Sequence, residues 1–368
     1  MVFKKAVCMK ALSFVLMFVL CITLCFSVLV SCNSQKSEEK FTKTFIDYFD
    51  TVTTITGYAD NEEEFLEVAD LVEERLWEYH KLYDAYHSKA DPGMEQLYAG
   101  VTNVKDINAL VDGQHQLCKV DEKLIELLLF SKEMYELTNG ETNVAMGSVL
   151  SLWHDEREKA ERYPQSAALP DADALTDAYL HTDINDIVID EENCTVFLRD
   201  PKMLLDVGAI AKGYATEMIA LELEEMGVSG YGLSVGGNVR LIGAKPNGEK
   251  WNVGIENPFD PYADYVENLK VADMSVVTSG SYQRYYVVNG QRYHHIIDKD
   301  TLYPADYFAS VSVITENSGL ADALSTALFS MPLENGKELI ESLEGVEAIW
   351  VLTDNTKILS SGISNFKH

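Results

Sequence analysis

Residues 204–215 read Leu204-Leu205-Asp206-Val207-Gly208-Ala209-Ile210-Ala211-Lys212-Gly213-Tyr214-Ala215, which places a carboxylate, a turn of small residues and a lysine at the start of one helix. Gly208 and Ala209 let a ligand approach the backbone closely, and the free N–H groups of a helix that begins near Ile210 favour an anion. Lys212 adds a full positive charge. The combination is typical of a phosphate site, although an ordinary strand-to-helix turn with a solvated lysine shares these features.

The composition indicates a globular protein that does not bind nucleic acid. The chain has 368 residues, 47% of them hydrophobic, which is enough for a substantial core in one large or two ordinary domains. Its 29 Lys and Arg residues face 59 Asp and Glu residues, so the net charge is −30. A surface of this charge repels polyanions, which argues against DNA or RNA as a partner.

The N-terminal segment has the pattern of a secretion signal followed by a lipid attachment site. Lys4, Lys5 and Lys10 precede an almost wholly apolar run over 11–30, as in the charged and hydrophobic regions of a signal peptide. Leu29-Val30-Ser31-Cys32 resembles the bacterial lipobox, in which the cysteine is lipidated and becomes the mature N-terminus. We therefore expect a signal peptide over 1–31, a lipid on Cys32, a linker over 32–40 and a folded domain over 41–368.

An uncleaved membrane anchor is the alternative, since an apolar run of roughly 20 residues can span a bilayer. Both interpretations place the folded part outside the cytoplasm, on the periplasmic or outer face of the cell membrane, and the lipobox favours the lipid anchor. Four of the six cysteines lie in the targeting segment, which leaves Cys118 and Cys194 in the folded part. A disulfide scaffold is thereby excluded, while one bridge and two free thiols both remain open.

Hydrophobic periodicity predicts an α+β fold with mixed, largely antiparallel sheets and packed helices. Helices are expected over 62–83, 121–137, 319–330 and 335–343. Strands are expected over 51–58, 187–190, 195–199, 231–234, 238–244, 251–256, 285–288, 291–297 and 348–352. Asn289-Gly290 marks a hairpin turn. A boundary between two subdomains could fall near residue 200, although no linker marks it.

Two further segments combine glycine turns with candidate catalytic side chains. In Gly232-Leu233-Ser234-Val235-Gly236-Gly237-Asn238 a strand runs into a double glycine, where a planar ligand could pack on bare backbone or the chain could simply turn. Tyr293-His294-His295-Ile296-Ile297-Asp298 carries paired histidines. Adjacent strand residues point to opposite faces, which argues against a shared zinc ion. One imidazole is the better candidate for a general base.

A possible cation site lies in Ala321-Asp322-Ala323-Leu324-Ser325-Thr326-Ala327, at the start of a predicted helix. Asp322 and Thr326 are one helical turn apart and share a face, so their oxygens could meet one hard cation. Oxygen donors favour Mg²⁺ over zinc. The alternative is an aspartate that only stabilises the N-terminus of its own helix.

Taken together and in this order, these segments closely resemble the bacterial ApbE family of flavin transferases, the FAD:protein FMN transferases. The resemblance covers essentially the whole chain after the linker. It is carried by residues 206–214, Ser234-Val235-Gly236-Gly237-Asn238, Thr278-Ser279-Gly280, His295-Ile296-Ile297-Asp298 with Pro304, and 321–327. Phe49-Asp50-Thr51 stands where the family often has Met-Gly-Thr, and Leu302 stands where it commonly has glycine.

The resemblance also implies roles for individual residues. FAD-contacting positions correspond to Phe49, Tyr86, Glu141, Thr142, Asn143, Asp206, Lys212, Gly236, Gly237, Ser279, His294, His295 and Ile296. Mg²⁺ ligands correspond to the Ala209 carbonyl, Asp322 and Thr326. His295 and Asp298 correspond to the catalytic positions, with His295 or a nearby carboxylate as the base.

The implied reaction is the Mg²⁺-dependent transfer of FMN from FAD to a threonine hydroxyl of an acceptor protein, with AMP as the leaving group. Catalysis of such a reaction consists largely of positioning the reactants and neutralising the charge of the diphosphate. The expected partners are FAD, an extracytoplasmic acceptor protein with a target threonine, and the membrane that holds the lipid. Hydrolysis of FAD to FMN and AMP, and flavin binding without catalysis, are the alternatives.

Overall fold

A sheet of eight strands forms the centre of the fold in this computed structural model, which describes residues 38–260 and 262–367. The strands of the described residues are β1 (Glu39–Tyr48), β2 (Thr51–Ala59), β3 (Leu110–Val111), β4 (Gln114–His115), β5 (Cys118–Lys119), β6 (Ile187–Asp190), β7 (Thr195–Leu198), β8 (Tyr231–Val235), β9 (Asn238–Ile242), β10 (Trp251–Ile255), β11 (Glu267–Val271), β12 (Ser275–Gly280), β13 (Tyr285–Val288), β14 (Gln291–His294), β15 (Phe308–Thr315), β16 (Glu347–Leu352) and β17 (Lys357–Leu359). The large sheet has the order β1-β2-β8-β9-β12-β15-β16-β17.

Neighbouring strands of this sheet from β2 to β17 run antiparallel. The helices of the described residues are α1 (Glu62–Tyr83), α2 (Val104–Asn108), α3 (Glu122–Leu137), α4 (Gly147–Arg162), α5 (Ala172–Tyr179), α6 (Ala211–Glu225), α7 (Ser318–Ser330) and α8 (Leu333–Glu341). The predicted α+β class with largely antiparallel sheets is therefore confirmed.

Each face of the large sheet has its own hydrophobic core. On one face α1 packs against β2 and α6 against β8, while α3 packs against α1 and α7 packs on β12 and β15. On the other face the β10–β11 hairpin and the short helix Ile363–Phe366 bury Ile314 and Ile349. Every residue of β15 is buried, because this strand is covered on both faces. The helical face carries the elements that build the site.

The long periodic elements agree with the sequence pattern. Helix α1 spans the predicted residues, and the side chain of Asn61 caps it by accepting the N–H of Glu64. The pattern did not predict β1, β11, β12, β15, α4 or α5. Strand β15 reads Phe308-Ala309-Ser310-Val311-Ser312-Val313-Ile314-Thr315, and its alternating serine and valine residues are all buried. Helix α4 begins at Gly147 without a side-chain cap. The start of α4 therefore lacks the local signal on which prediction depends, whereas the alternation in β15 was present in the sequence.

The predicted linker ends later than the structure allows, because β1 already begins at Glu39. The alternation of half-buried Phe41 and buried Phe45 with exposed neighbours explains this early start. The predicted signal peptide, Cys32 and most of the linker lie outside the described residues. Within the part that is described, no helix combines the length and apolarity needed to cross a membrane. The boundary near residue 200 stays a prediction.

The pairing of β5 with β7 bears on the two cysteines of the folded part. Cys118 lies opposite Val196 and Lys119 opposite Thr195, and the N–H of Val120 donates to the carbonyl of Cys194 at 2.9 Å. Cys118 and Cys194 are therefore diagonal to each other and not direct partners, and both are free thiols. A bridge would need a shift of the strand register, since disulfides require Cα atoms closer than about 7 Å.

Candidate active site

A cavity of about 540 Å³ opens on the helical side of the sheet, where α4, α6, α7 and the end of β14 meet. It collects residues from distant parts of the chain. The predicted site residues that line it are Tyr86, Glu141, Asn143, Asp206, Ala209, Lys212, Gly236, Ser279, His295, Ile296, Asp322 and Thr326. Motifs that lie far apart in the sequence therefore surround the same cavity.

Helices α6 and α7 approach each other closely at one end of this cavity. The reason is Gly213: a Cβ atom there would lie 2.3 Å from Cβ of Asp322 and 2.5 Å from the carbonyl oxygen of Ser318. Without a side chain at this position, the N–H of Gly213 donates to Oδ2 of Asp322 at 2.7 Å. The glycine of the opening motif thus fixes where the Asp322 carboxylate stands.

A network of buried charges adjoins this contact and connects the same two helices. Oε2 of Glu217 accepts the N–H of Ser318 at 2.6 Å and pairs with Nε of Arg240 at 3.1 Å. The Ser318 hydroxyl donates to Oδ1 of Asn238 at 2.6 Å, and Asn238 lines the cavity. These bonds connect α6, β9 and the first turn of α7. A buried ion pair offsets the cost of removing its charges from water when additional hydrogen bonds satisfy those charges, as they do here.

The predicted metal ligands lie at this end of the cavity. Burial raises the pKa of Asp322, while Lys212 and the Gly213 N–H lower it. The Nζ of Lys212 is 4.0 Å from Oδ2 of Asp322, and among the described residues no hydrogen bond reaches Oδ1. The hydroxyl of Thr326 is 3.5 Å from that of Ser279. A buried carboxylate with one free oxygen beside a hydroxyl fits a hard cation.

Within the described ranges, 38–260 and 262–367, no three His, Cys, Asp or Glu side chains converge as a metal site. The predicted ligand set differs from such a cluster, because it has one carboxylate, one hydroxyl and the main-chain carbonyl of Ala209. Asp322 does not cap its own helix, because the side chain of Asn317 does so by accepting the Leu320 N–H. The alternative role considered for Asp322 is therefore wrong.

The anion site expected at the start of α6 needs a correction. The N–H of Ala211 already donates to the carbonyl of Val207 at 2.9 Å, and the N–H of Gly213 donates to Asp322. The carboxylate of Asp322 is itself the anion at this helix N-terminus. Positive potential for a ligand therefore comes mainly from side chains of the cavity: Arg157, Lys212, Arg284 and Lys299.

His295 is held in one tautomer. Its Nδ1 lies 3.2 Å from the carbonyl oxygen of Arg284, and since a carbonyl only accepts, Nδ1 carries the hydrogen and Nε2 is left as the acceptor. Burial, followed by the charges of Arg284 and Lys212, lowers the pKa of His295 to about 3. The imidazole is therefore neutral near pH 7.

Five of the predicted residues do not line the cavity. Asp298 is buried, and its Oδ1 accepts the N–H groups of Asp300 and Thr301 at 2.7 and 3.1 Å. Nε2 of His294 is 2.8 Å from the Ala305 carbonyl, which agrees with the prediction that adjacent histidines face opposite ways. Neighbouring backbone groups therefore form hydrogen bonds with the polar atoms of Asp298 and His294, and both side chains stabilise the local structure.

The other three, Phe49, Thr142 and Gly237, belong to turns and buried contacts. The hydroxyl of Thr142 donates to the Ala323 carbonyl at 2.9 Å and thereby holds α7. Gly237 has a φ of +87° in the turn after β8, where L-residues are strained. In the same turn, a Cβ atom on Gly236 would lie 2.4 Å from Oγ1 of Thr51.

An aromatic pair forms another wall of the site. The ring of Tyr86 stacks on that of His154 with centroids 4.2 Å apart, and the Tyr86 hydroxyl donates to Oδ2 of Asp206 at 2.8 Å. Oδ1 of Asp206 accepts the Gly208 N–H at 2.8 Å. Asp206 therefore connects this aromatic wall to the turn before α6.

Sequence reasoning missed the wall formed by α4. The residues at its start and along it that face the cavity recur at helical spacing and are Met146, Leu150, Trp153, His154 and Arg157. Arg157 donates to Nδ1 of His154 at 2.9 Å. This stripe of apolar and basic side chains over 146–157 was the signal that could have found the wall.

The cavity also contains an ion pair that the sequence did not indicate. Nζ of Lys299 is 3.3 Å from Oε1 of Glu141. Burial raises the pKa of Glu141, while Lys299 lowers it. The predicted contact residue Glu141 is thus paired with a lysine from the segment after β14.

Comparison with known proteins identifies the fold and the family. The model of the ApbE family matches residues 49–350. The chain is 32% identical to the FAD:protein FMN transferase of Klebsiella pneumoniae (strain 342), over 71% of this chain and 78% of that one. It is 34% identical to the FAD:protein FMN transferase of Treponema pallidum, over 66% of this chain and 69% of that one.

Solved structures agree with this result. The ApbE protein of Thermotoga maritima superposes with a TM-score of 0.74 at 27% identity, covering 90% of this chain and all of that one. The flavin transferase ApbE of Vibrio cholerae, at 22% identity and a TM-score of 0.71, shares the fold over 89% of this chain and 99% of that one. From the family match over 49–350 and the fold that accompanies it, we conclude that this chain belongs to the ApbE family.

Proposed function

We propose that the chain transfers FMN from FAD to a threonine hydroxyl of an acceptor protein in a Mg²⁺-dependent reaction that releases AMP. Its family and its named relatives make it a flavin transferase. The observation that carries the finer proposal is the arrangement of Asp322, Thr326, Lys212 and His295 around one cavity.

Asp322, Thr326 and the Ala209 carbonyl would hold Mg²⁺, which when bound would neutralise charge on the diphosphate of FAD. Lys212, 4.0 Å from Asp322, adds a cation at the same end of the cavity. Its ammonium group is suited to the charge that develops on the phosphate oxygens during transfer. The chain therefore supplies the positive potential that this phosphoryl chemistry requires.

The threonine oxygen attacks the phosphorus on the flavin side of the diphosphate. A new P–O bond forms to threonine, the P–O bond to the bridging oxygen breaks, and AMP leaves with that oxygen. Nε2 of His295 accepts the proton of the hydroxyl, because Nδ1 is committed to the Arg284 carbonyl.

The test is incubation with FAD, Mg²⁺ and an acceptor protein that carries the target threonine, followed by mass spectrometry of the acceptor and chromatography of the nucleotides. We expect one covalent FMN per acceptor and one equivalent of AMP, with no labelling of an acceptor whose threonine is replaced by valine. Free FMN and AMP without labelling would identify an FAD hydrolase. Unchanged, tightly bound FAD would identify a flavin-binding protein.

The metal assignment is tested with Asp322→Asn, which preserves the shape of the side chain and removes its charge. We expect the Mg²⁺-dependent rate to fall at least about 100-fold. Isothermal titration with Mg²⁺ in the presence of FAD should show weakened metal binding in the same variant. Full activity of Asp322→Asn would remove Asp322 from the ligand set.

We also propose that the chain is lipidated at Cys32 and works outside the cytoplasm, attached to the cell membrane. The support is the lipobox-like Leu29-Val30-Ser31-Cys32 behind an apolar run. A lipid anchor would keep the enzyme and a membrane-bound acceptor on one surface, which raises their effective concentration.

A further inference from the structure

The two-residue turn between β1 and β2 has a strained backbone. Phe49 and Asp50 have φ values of +53° and +52°. This is the left-handed region that type I′ hairpin turns require and that asparagine and glycine normally occupy. A non-glycine residue held there is strained and persists only where neighbouring groups impose that backbone conformation. Asp50 and the following Thr51 line the cavity.

Two side chains from other parts of the fold hold this turn. Nη2 of Arg284 donates to the carbonyl of Asp50 at 2.9 Å and to that of Phe49 at 3.2 Å. From the opposite side, Nδ1 of His80 accepts the N–H of Phe49 at 3.2 Å. The Phe49 ring meets the His80 ring edge-on at 5.6 Å. The turn is thus fixed at three main-chain atoms.

Arg284 also contacts His295, through its own backbone. The Arg284 carbonyl accepts the main-chain N–H of His295 at 3.2 Å and the ring Nδ1–H at 3.2 Å. Arg284 precedes β13 and His295 follows β14, so this contact closes the open end of the hairpin. Arg284 therefore joins two parts of the site. Its guanidinium binds the strained turn, and its carbonyl binds His295.

We propose that Arg284 is a positioning residue, which uses the Phe49–Asp50 turn as a fixed support to hold the carbonyl that orients His295. This inference rests on the proposed function for the role of His295. The guanidinium anchors the end of the β13–β14 hairpin to the edge of the large sheet. Because the carbonyl is then immobile, the Nε2 atom of His295 is aimed into the cavity.

The first experiment replaces Arg284 by alanine and measures kcat and the KM for FAD separately. We expect kcat for FMN transfer to fall about 10- to 100-fold, because a small displacement of a catalytic group is costly. The KM for FAD should rise by a smaller factor, since one of the four cations that line the cavity is lost. Arg292→Ala is the matched control: Arg292 lies on the same hairpin, over the Tyr285 ring at 4.6 Å, outside the cavity. A raised KM with unchanged kcat would overturn the proposal.

The second experiment changes the Phe49–Asp50 turn so that it keeps its conformation without the contact from Arg284. Glycine adopts a positive φ without strain, so Asp50→Gly should hold the turn by itself. We expect the loss of kcat caused by Arg284→Ala to be at least about threefold smaller in the Asp50→Gly background. Asp112→Gly is the matched control, since Asp112 has a φ of +53° in the β3–β4 turn. Equal losses in both backgrounds would overturn the proposal.

A third measurement does not depend on activity. In ¹⁵N-histidine-labelled protein, the His295 signals are identified by their absence in His295→Asn. We expect one tautomer, protonated at Nδ1, in the unsubstituted protein and a mixture of tautomers in Arg284→Ala. A single tautomer in Arg284→Ala would overturn the positioning role. If the tautomers mix but the unsubstituted protein transfers no flavin to any acceptor, the proposed function fails and the positioning role stands.

Discussion

At the scale of single residues, His295 and Asp298 lie close together in sequence but have different surroundings. His295 lines the cavity with Nε2 unprotonated, whereas the carboxylate of Asp298 is buried under the N–H groups of Asp300 and Thr301. A group that reacts must reach the substrate. The surroundings therefore favour His295 for the proposed proton transfer and give Asp298 a role in the stability of its turn.

Two asparagine substitutions test this division. We expect His295→Asn to lower kcat at least about 100-fold, the usual contribution of a general base. Asp298→Asn should leave kcat within about threefold and reduce the free energy of unfolding by about 1 kcal/mol, because its charged hydrogen bonds become neutral. Transfer kinetics and urea denaturation measure the two effects. A loss of kcat in Asp298→Asn without loss of stability would return Asp298 to the catalytic group.

The pH dependence of stability provides a second test at this scale. The pKa of His295 is about 3 in the folded chain and 6.5 ordinarily. Between these values the unfolded chain binds more protons, so this contribution to stability is present above about pH 6.5 and is lost as the pH falls toward 3. We expect the unsubstituted protein to lose more stability than His295→Asn between pH 7 and 4.5. Equal losses in urea denaturation would contradict the lowered pKa of His295.

At the scale of elements, the close approach of α6 and α7 is the contact on which the site depends. It brings together residues separated by 109 positions, through the Gly213 N–H and the Asp322 carboxylate. Glu217 and Ser318 connect the same two helices one turn further. The cavity therefore needs both helices in register, and a side chain at Gly213 would push them apart.

We expect Gly213→Ala to reduce the free energy of unfolding by about 1–3 kcal/mol, as overpacking does, and to abolish transfer. Gly336→Ala is the matched control in a helix: its nearest contact is Cδ2 of Leu328 at 3.1 Å, the flexible end of a side chain. That variant should stay within about 1 kcal/mol of the unsubstituted protein, because alanine favours helix. Urea denaturation of both variants measures their free energies of unfolding. A Gly213→Ala variant that is stable and active would contradict the proposed contact.

At the scale of the whole molecule, an acidic protein places four cationic side chains around one cavity. The net charge is −30, yet Arg157, Lys212, Arg284 and Lys299 all line the cavity. Asp50, Glu141, Asp206 and Asp322 line the cavity as well, so the four cations locally offset the carboxylates. A net charge of −30 is therefore compatible with a diphosphate ligand in this cavity.

The lipid anchor is a prediction about the molecule as a whole. We expect the mature protein to partition into detergent and to begin with a lipid-modified Cys32, and we expect Cys32→Ala to lose both properties. Cys25→Ala, in the same apolar run, is the matched control and should behave like the unsubstituted protein. Detergent partitioning and mass spectrometry of the N-terminal peptide measure the outcome. An intact Met1 in the mature protein would instead indicate an uncleaved anchor.

Local patterns in the sequence were sufficient for the fold class, for the long elements such as α1 and for membership of the ApbE family, which the family match confirms. Periodicity, caps and glycine turns depend on residues close in sequence, so one chain displays them without its structure. The same patterns could not separate His295 from His294 or Asp298, nor find the wall that α4 forms.

Only the tertiary structure decided which polar groups face the cavity and which hold the fold. Asp322 meets Gly213, Arg284 meets the Phe49–Asp50 turn, and Lys299 meets Glu141 across long stretches of sequence. Whether a carboxylate binds a cation or a backbone N–H depends on what packs against it. That packing is a property of the assembled helices and sheet, which the spacing of residues along the chain does not contain.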